Sequence, residues 1–204
     1  MNPAFFDAVR GPLFGGRLRP AQVEGLARIV EYGIKHKYSN PDLAYVLATA
    51  HHETGRRMEP VREGFASTDA GARAAVKNLH AKGIIRTNYA LPAGPYKQSY
   101  YGRGLVQITW YENYAKFAVL LKKPLDKNPD LALEWDTALD IMFIGMRSGL
   151  FTKYNLDEVP DIMPVPAFDN TDRLIINGDA RKNGPMIAGY ATEYLKALEK
   201  AFGK

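Results

Sequence analysis

Three observations predict a mainly α fold for this chain of 204 residues. Apolar residues recur at spacings of three and four over much of its length. Asn, Pro and Asp stand just ahead of those stretches, and the Gly- and Pro-rich segments fall between them. From about Pro20 to Lys37, Val23, Leu26, Val30 and Ile34 share one face and predict a first amphipathic helix. The next opens at Asn40-Pro41-Asp42-Leu43, with Asn as N-cap, Pro at the first helical position and an acid in the first turn; Gly55 supplies the stop. The same four letters recur at Asn128-Pro129-Asp130-Leu131. There they open a long apolar helix through Leu139, Ile141, Met142, Ile144 and Met146 to about Gly149. Nothing else around the two copies matches, so they are reused capping grammar and not a repeat.

Ser67 to Lys82 is a further helix, rich in Ala and polar residues, suited to the surface or to a smaller lobe. Thr87 to Gly104 holds four Tyr, two Pro and three Gly and reads as an extended, turning loop. Trp110 to Lys122 is helical again. Lys153 to Thr171, with Pro160, Pro164 and Pro166, is irregular, and a last helix runs from about Pro185 to Ala201. No low-complexity linker interrupts the chain. Residues 1–204 therefore form one domain, with room for two lobes around a cleft.

Composition narrows the chemistry. Apolar residues make up 46% and charged residues 24%, as in an ordinary folded protein with a core. Cysteine is absent, which excludes disulfides and thiolate metal sites. Residues 1–10 lack a basic start followed by an apolar run, and no stretch is apolar enough to span a membrane; neither a signal peptide nor stable membrane insertion is expected. The net charge of +5 suggests an anionic partner. Nucleic acid is a poor fit, because Arg56-Arg57, Lys122-Lys123 and Arg181-Lys182 are scattered pairs, read as solvated surface. Bacterial cell wall is anionic as well and suits a dispersed charge.

The run Ala48-Thr49-Ala50-His51-His52-Glu53-Thr54-Gly55 carries the first chemical signal. Leu43, Val46, Leu47, Ala50 and Glu53 share a helical face, so the carboxylate points where core residues point. An acid there is costly unless neutral or paired. Desolvation raises its pKa, as a general acid working near neutral pH requires. The plainer alternative is a carboxylate at a helix end bonded to a nearby Arg. A metal is not expected: His51, His52 and Glu53 diverge around the helix at about 100° per residue, and H-E-x-x-H is absent. Nucleophilic catalysis lacks both a Cys and a G-x-S-x-G elbow.

Paired carboxylates remain. Beyond the Gly55 stop, the segment reaching Glu63 can fold back and face Glu53 across a groove. Two such acids are the equipment for cleaving a glycosidic bond, one protonating the leaving oxygen and the other activating water or attacking the anomeric carbon. On composition alone, Glu63 reads better as a surface acid paired with Arg62 or Arg56. The segment Tyr100 to Tyr114 shifts the balance. Gly102 and Gly104 let backbone approach a ligand, Tyr and Trp offer flat faces for sugar rings, and Gln107, Thr109 and Asn113 can bond N-acetyl and hydroxyl groups.

Together, His52-Glu53-Thr54-Gly55, then Tyr100-Tyr101-Gly102-Arg103-Gly104-Leu105-Val106-Gln107-Ile108-Thr109-Trp110 and Asn113-Tyr114 resemble glycoside hydrolase family nineteen, which contains plant-type chitinases and many phage endolysins. The resemblance runs from about Leu43 to Tyr114, with weaker support at Asn128 to Leu131 and at Ile175-Ile176-Asn177-Gly178. It implies a lysozyme- or chitinase-like fold, with Glu53 as general acid and Thr109 helping to hold the attacking water. His52, Tyr101, Gln107, Trp110, Asn113 and Asn177 would bind sugar. The short Val61-Arg62-Glu63 arrangement resembles the endolysin branch and points to Glu63 as second carboxylate, with Glu59 and Asp69 as rivals. Arg56-Arg57 departs from the Gly that often follows the first motif.

The resemblance implies cleavage of a β-1,4 bond beside an N-acetylated sugar, with no cofactor. Without an export signal, the expectation is a phage-type endolysin. It would be made in the bacterial cytoplasm, be released to the wall by a holin and act as a monomer on peptidoglycan strands between N-acetylmuramic acid and N-acetylglucosamine. A chitinase is the alternative, and a non-catalytic wall-binding module the third. Inversion requires the two carboxyl groups to stand about 6.5–9.5 Å apart.

Overall fold

The computed structural model describes residues 1–156, 168 and 171–203. Most of the irregular stretch expected at Lys153 to Thr171 lies outside the described residues. The chain divides into two compact units, one of residues 1–58 with 142–204 and one of residues 59–141. Seven α-helices are found among the described residues, as the mainly α reading expects.

The first unit begins with a helix that the sequence reading does not include, α1 (Pro3–Phe14). Asn2 caps it by accepting from the Ala4 N–H at 3.0 Å, and Phe5, Val9 and Leu13 form its buried stripe. Helix α2 (Pro20–Lys35) starts where expected, but its face is rotated. Leu26, Ile29 and Val30 are buried, whereas Val23 and Ile34 are exposed. Two glycines set this face. A Cβ on Gly33 would lie 2.6 Å from Leu43 Cδ1, and one on Gly25 would lie 1.7 Å from the Met58 carbonyl oxygen. Close backbone approach, which large apolar residues do not report, decides which side faces inward.

Helix α3 (Asn40–Glu53) is capped by Ser39, whose hydroxyl accepts from the Asp42 N–H at 3.2 Å; Asn40 is already helical. Every residue from Leu43 to His51 is buried, so α3 is a central helix and not an amphipathic one. Its end is a Schellman motif. The Arg56 N–H reaches the His51 carbonyl at 2.8 Å, and the Gly55 N–H, with φ 55°, reaches that of His52 at 3.1 Å.

Helix α7 (Ala180–Phe202) begins five residues before Pro185, which it carries inside. Asp179 explains the early start, its carbonyl accepting from the N–H groups of Lys182 and Asn183 at 3.0 and 3.1 Å. Ala188, Ala191 and Ala197 are buried on α7, which packs on α3 and on α1. Asn2 Nδ2 donates to the Ala201 carbonyl at 2.6 Å, tying the two ends of the chain together.

The second unit holds α4 (Asp69–Ala81), capped by Thr68, and α5 (Tyr111–Leu121), both within the stretches expected. A two-residue strand β1 (Val61–Arg62) pairs antiparallel with β2 (Arg103–Gly104), Val61 opposite Gly104. The second Asn-Pro-Asp-Leu copy does not open the long helix. It forms a 3-10 turn (Pro129–Leu133), and α6 (Trp135–Arg147) starts after it; the division at residue 141 falls inside α6. In α6, Phe143 packs within the first unit against Tyr32 and Tyr38, whose hydroxyl donates to the Phe143 carbonyl at 3.0 Å.

Candidate active site

In the first unit, Glu53 is the last residue of α3, and its side chain is 14% exposed. It is paired: Arg173 Nη1 donates to Glu53 Oε1 at 2.7 Å, and Arg173 Nε donates to Asp179 Oδ1 at 2.6 Å. Asp179 also accepts from Asn183 Nδ2. The Arg173 guanidinium is 3% exposed, so two carboxylates share one buried positive charge. Burial acts to raise the Asp179 carboxyl, but the hydrogen bonds from Arg173 and Asn183 outweigh it and hold Asp179 below the usual carboxylate range. Asp179 therefore stays ionised and matches Arg173.

His52 stands beside this group, half-buried. Burial lowers its pKa, and Arg173 adds to that, against the opposing pull of Glu53. Asn177 is exposed, and its backbone N–H donates to the Arg173 carbonyl at 2.9 Å. Asn177 thus sits in the short segment that carries Arg173 and Asp179. Those two residues escape the sequence reading, which asks only for some nearby Arg; they lie more than a hundred residues from Glu53 with no local pattern to join them.

In the second unit, Glu63 opens a 3-10 turn (Glu63–Phe65) just after β1. Its N–H donates to the Gly102 carbonyl at 2.7 Å, and the Gly102 N–H donates to Glu63 Oε2 at 3.1 Å. Tyr89 is also hydrogen-bonded to Glu63; burial, then the charge of Glu63, push its phenol well above the ordinary value. Tyr89, inside the Tyr-rich loop, is a third residue the sequence reading leaves unassigned.

The motif Tyr100 to Tyr114 folds as a tight turn in which Arg103 and Ile108 exchange backbone hydrogen bonds at 3.3 and 3.1 Å. Gln107 has φ 53°, and its Nε2 donates to the Val61 carbonyl at 2.8 Å, stitching the turn to β1. Thr109 is half-buried, and its carbonyl accepts from Asn113 Nδ2 at 2.8 Å. Trp110 is exposed and leans on Tyr89 with ring centroids 5.4 Å apart.

Tyr101 is different from its expected place. It is fully buried, its hydroxyl donates to Asp69 Oδ1 at 2.9 Å, and the Arg103 guanidinium lies 3.6 Å over its ring. It is a core residue, not a sugar platform. Arg103, 3% exposed, also donates to Asp130 at 2.7 Å and to the Ser99 carbonyl at 2.9 Å. Asp130 receives Arg62 at 2.7 Å as well. Asp69, one rival to Glu63, is itself exposed but is tied to the buried Arg103 and Tyr101; Glu59 is half-buried beside β1. Among the described residues, no group of three or more His, Asp or Glu could hold a metal ion, and no helix is long and apolar enough to cross a membrane.

No protein-family model matches the chain. Over 141 residues it is 27% identical to an endochitinase of Arabidopsis thaliana, a match covering 64% of this chain and 42% of that protein. The chain thus spans less than half the length of the curated relative it matches. Among solved structures, chitinase C of Streptomyces griseus is similar at 22% identity and a TM-score of 0.54, covering 98% of this chain and 76% of that one. A family-nineteen, class IV chitinase of Zea mays is similar at 18% identity and a TM-score of 0.50, covering 96% and 91%. These likenesses establish the fold: the chain has the helical architecture of family-nineteen chitinases.

Proposed function

We propose that the chain is a glycoside hydrolase that cleaves β-1,4 bonds beside N-acetylated sugars, and that its substrate is peptidoglycan, in the manner of an endolysin. The observation that carries the reading is Glu53, a nearly buried carboxylate at a helix end whose Arg173 partner is already matched by Asp179. Glu53 protonates the bridging oxygen. Glu63, oriented by Gly102 and Tyr89, takes a proton from a water held with Thr109, and the water adds to the anomeric carbon with inversion. Trp110, His52 and Asn177 are the groups left to meet sugar. The net charge of +5 supports an anionic wall polymer over neutral chitin. The endochitinase and chitinase likenesses favour the second reading, chitin.

Mass spectrometry of fragments released from purified Gram-negative peptidoglycan, with wild type and Glu53→Gln side by side, tests this. Hydrated fragments ending in reducing N-acetylmuramic acid, absent with the variant, are expected. If both proteins leave the wall intact while wild type cuts chitin oligomers, the substrate is chitin. Failure on both polymers returns the chain to a binding role.

A further inference from the structure

Arg56 and Arg57 are not an isolated pair, because Arg17 and Arg19 line the same cavity. In the first unit, the loop leaving α1 and the loop leaving α3 enclose a cavity of about 450 Å³ whose walls carry Arg17, Arg19, Arg56 and Arg57, with Phe14 on one side and no carboxylate in the lining. Arg17, Arg19 and Arg56 are exposed, and none makes an ion pair with an acid among the described residues. The guanidinium groups of Arg17, Arg19 and Arg56 around one concavity repel one another unless an anion sits among them.

The cavity is built, not incidental. Gln22 is 5% exposed and bonds both walls: its Oε1 accepts from the Arg19 N–H at 2.9 Å, and its Nε2 donates to the Arg56 carbonyl at 2.8 Å. One buried amide therefore fixes the spacing of the two arginine-bearing loops. Arg56 is held at φ 67°, a left-handed conformation unfavourable for a residue with a Cβ, while Gly15 and Gly16, at φ 66° and 90°, turn the opposite wall. Loops fixed in advance lose little freedom when a ligand arrives.

We propose that this cavity binds a phosphate group carried on a small organic moiety. The three charges of Arg17, Arg19 and Arg56 over-match a single carboxylate. A phosphate monoester or diphosphate brings two or more negative charges and enough oxygens for several guanidinium forks. The volume accommodates the group that carries the phosphate, and Phe14 gives that group an apolar wall.

Isothermal titration calorimetry with inorganic pyrophosphate, in a low-salt buffer free of other phosphate, tests the site. Saturable one-to-one binding is expected. Arg17→Gln or Arg56→Gln should each weaken it about tenfold, the loss of one charge-assisted hydrogen bond. Arg28→Gln removes the same charge from α2 outside the cavity, where Arg28 pairs with Glu24, and should leave binding unchanged. The proposal is overturned if wild type shows no saturable binding, if Arg28→Gln weakens it as much as the cavity variants, or if acetate binds as tightly as pyrophosphate. Calorimetry reads binding whether or not Glu53 cuts a glycan, so the two readings fail separately.

Discussion

A Cβ on Gly102 would lie 2.6 Å from Glu63 Oε2 and 2.7 Å from Gln107 Oε1. The glycine is therefore the seat of the carboxylate proposed as base, and its own N–H orients that carboxylate. Gly102→Ala should displace Glu63 while leaving the helices intact. Wall cleavage should fall about a hundredfold, as for a catalytic group moved by an ångström, with the circular-dichroism spectrum unchanged. Full activity in the variant would remove Glu63 from the base role. At this scale the sequence is informative where chemistry is local. Glu53 at the end of an apolar stripe, and the Gly-hinged motif around Gln107, can be read directly. Arg173, Asp179 and Tyr89 cannot, because each meets its carboxylate through tertiary folding and no periodicity links them. Tyr101 misleads for a related reason: an aromatic ring looks the same in sequence whether it faces sugar or an arginine in the core.

Helix α3 shows how burial on all sides shapes acid stability. His51 is 1% exposed, its Nδ1 lies 2.9 Å from the Tyr194 hydroxyl, and Nε2 has no partner among the described residues. Burial, with Arg56 and His52 adding to it, pushes the imidazole from 6.5 down to about 4. The native state thus binds this proton more weakly than the unfolded chain does. The stabilisation is complete above pH 6.5 and is lost as pH falls towards 4, by about 3 kcal/mol in all. Urea unfolding across that window should show the slope in wild type and lose it in His51→Phe. Asp179 and Asp130, both held below 3.8, contribute above that value and lose their contribution only in more acid solution. The helices themselves are largely legible, with capping residues and apolar spacing placing α2, α3, α4, α5 and α7 to within a few residues. Helix α1 is obscured by Gly11 and Pro12 inside its Phe5-Val9-Leu13 stripe. The face of α2 is obscured because glycines, which carry no apolar signal, make its contacts.

At the scale of the whole molecule, the charge of +5 is spread over the surface and acts at a distance. If the substrate is an anionic wall, added salt should slow its digestion steeply while leaving cleavage of short neutral N-acetylglucosamine oligomers nearly unaffected. Equal salt dependence on both substrates would separate the charge from the choice of polymer. The mainly α class follows from the sequence, but the division into two units does not, since no linker or change of composition marks residues 58 and 141.

The first unit is made from both ends of the chain, with Asn2 bonded to Ala201 and Glu53 to Arg173. During synthesis the residues of the second unit emerge as one uninterrupted stretch, complete before α7 exists. The acid on α3 must wait 120 residues for its guanidinium. A nascent chain therefore displays the whole Tyr100 to Tyr114 motif before Glu53 has met the guanidinium of Arg173.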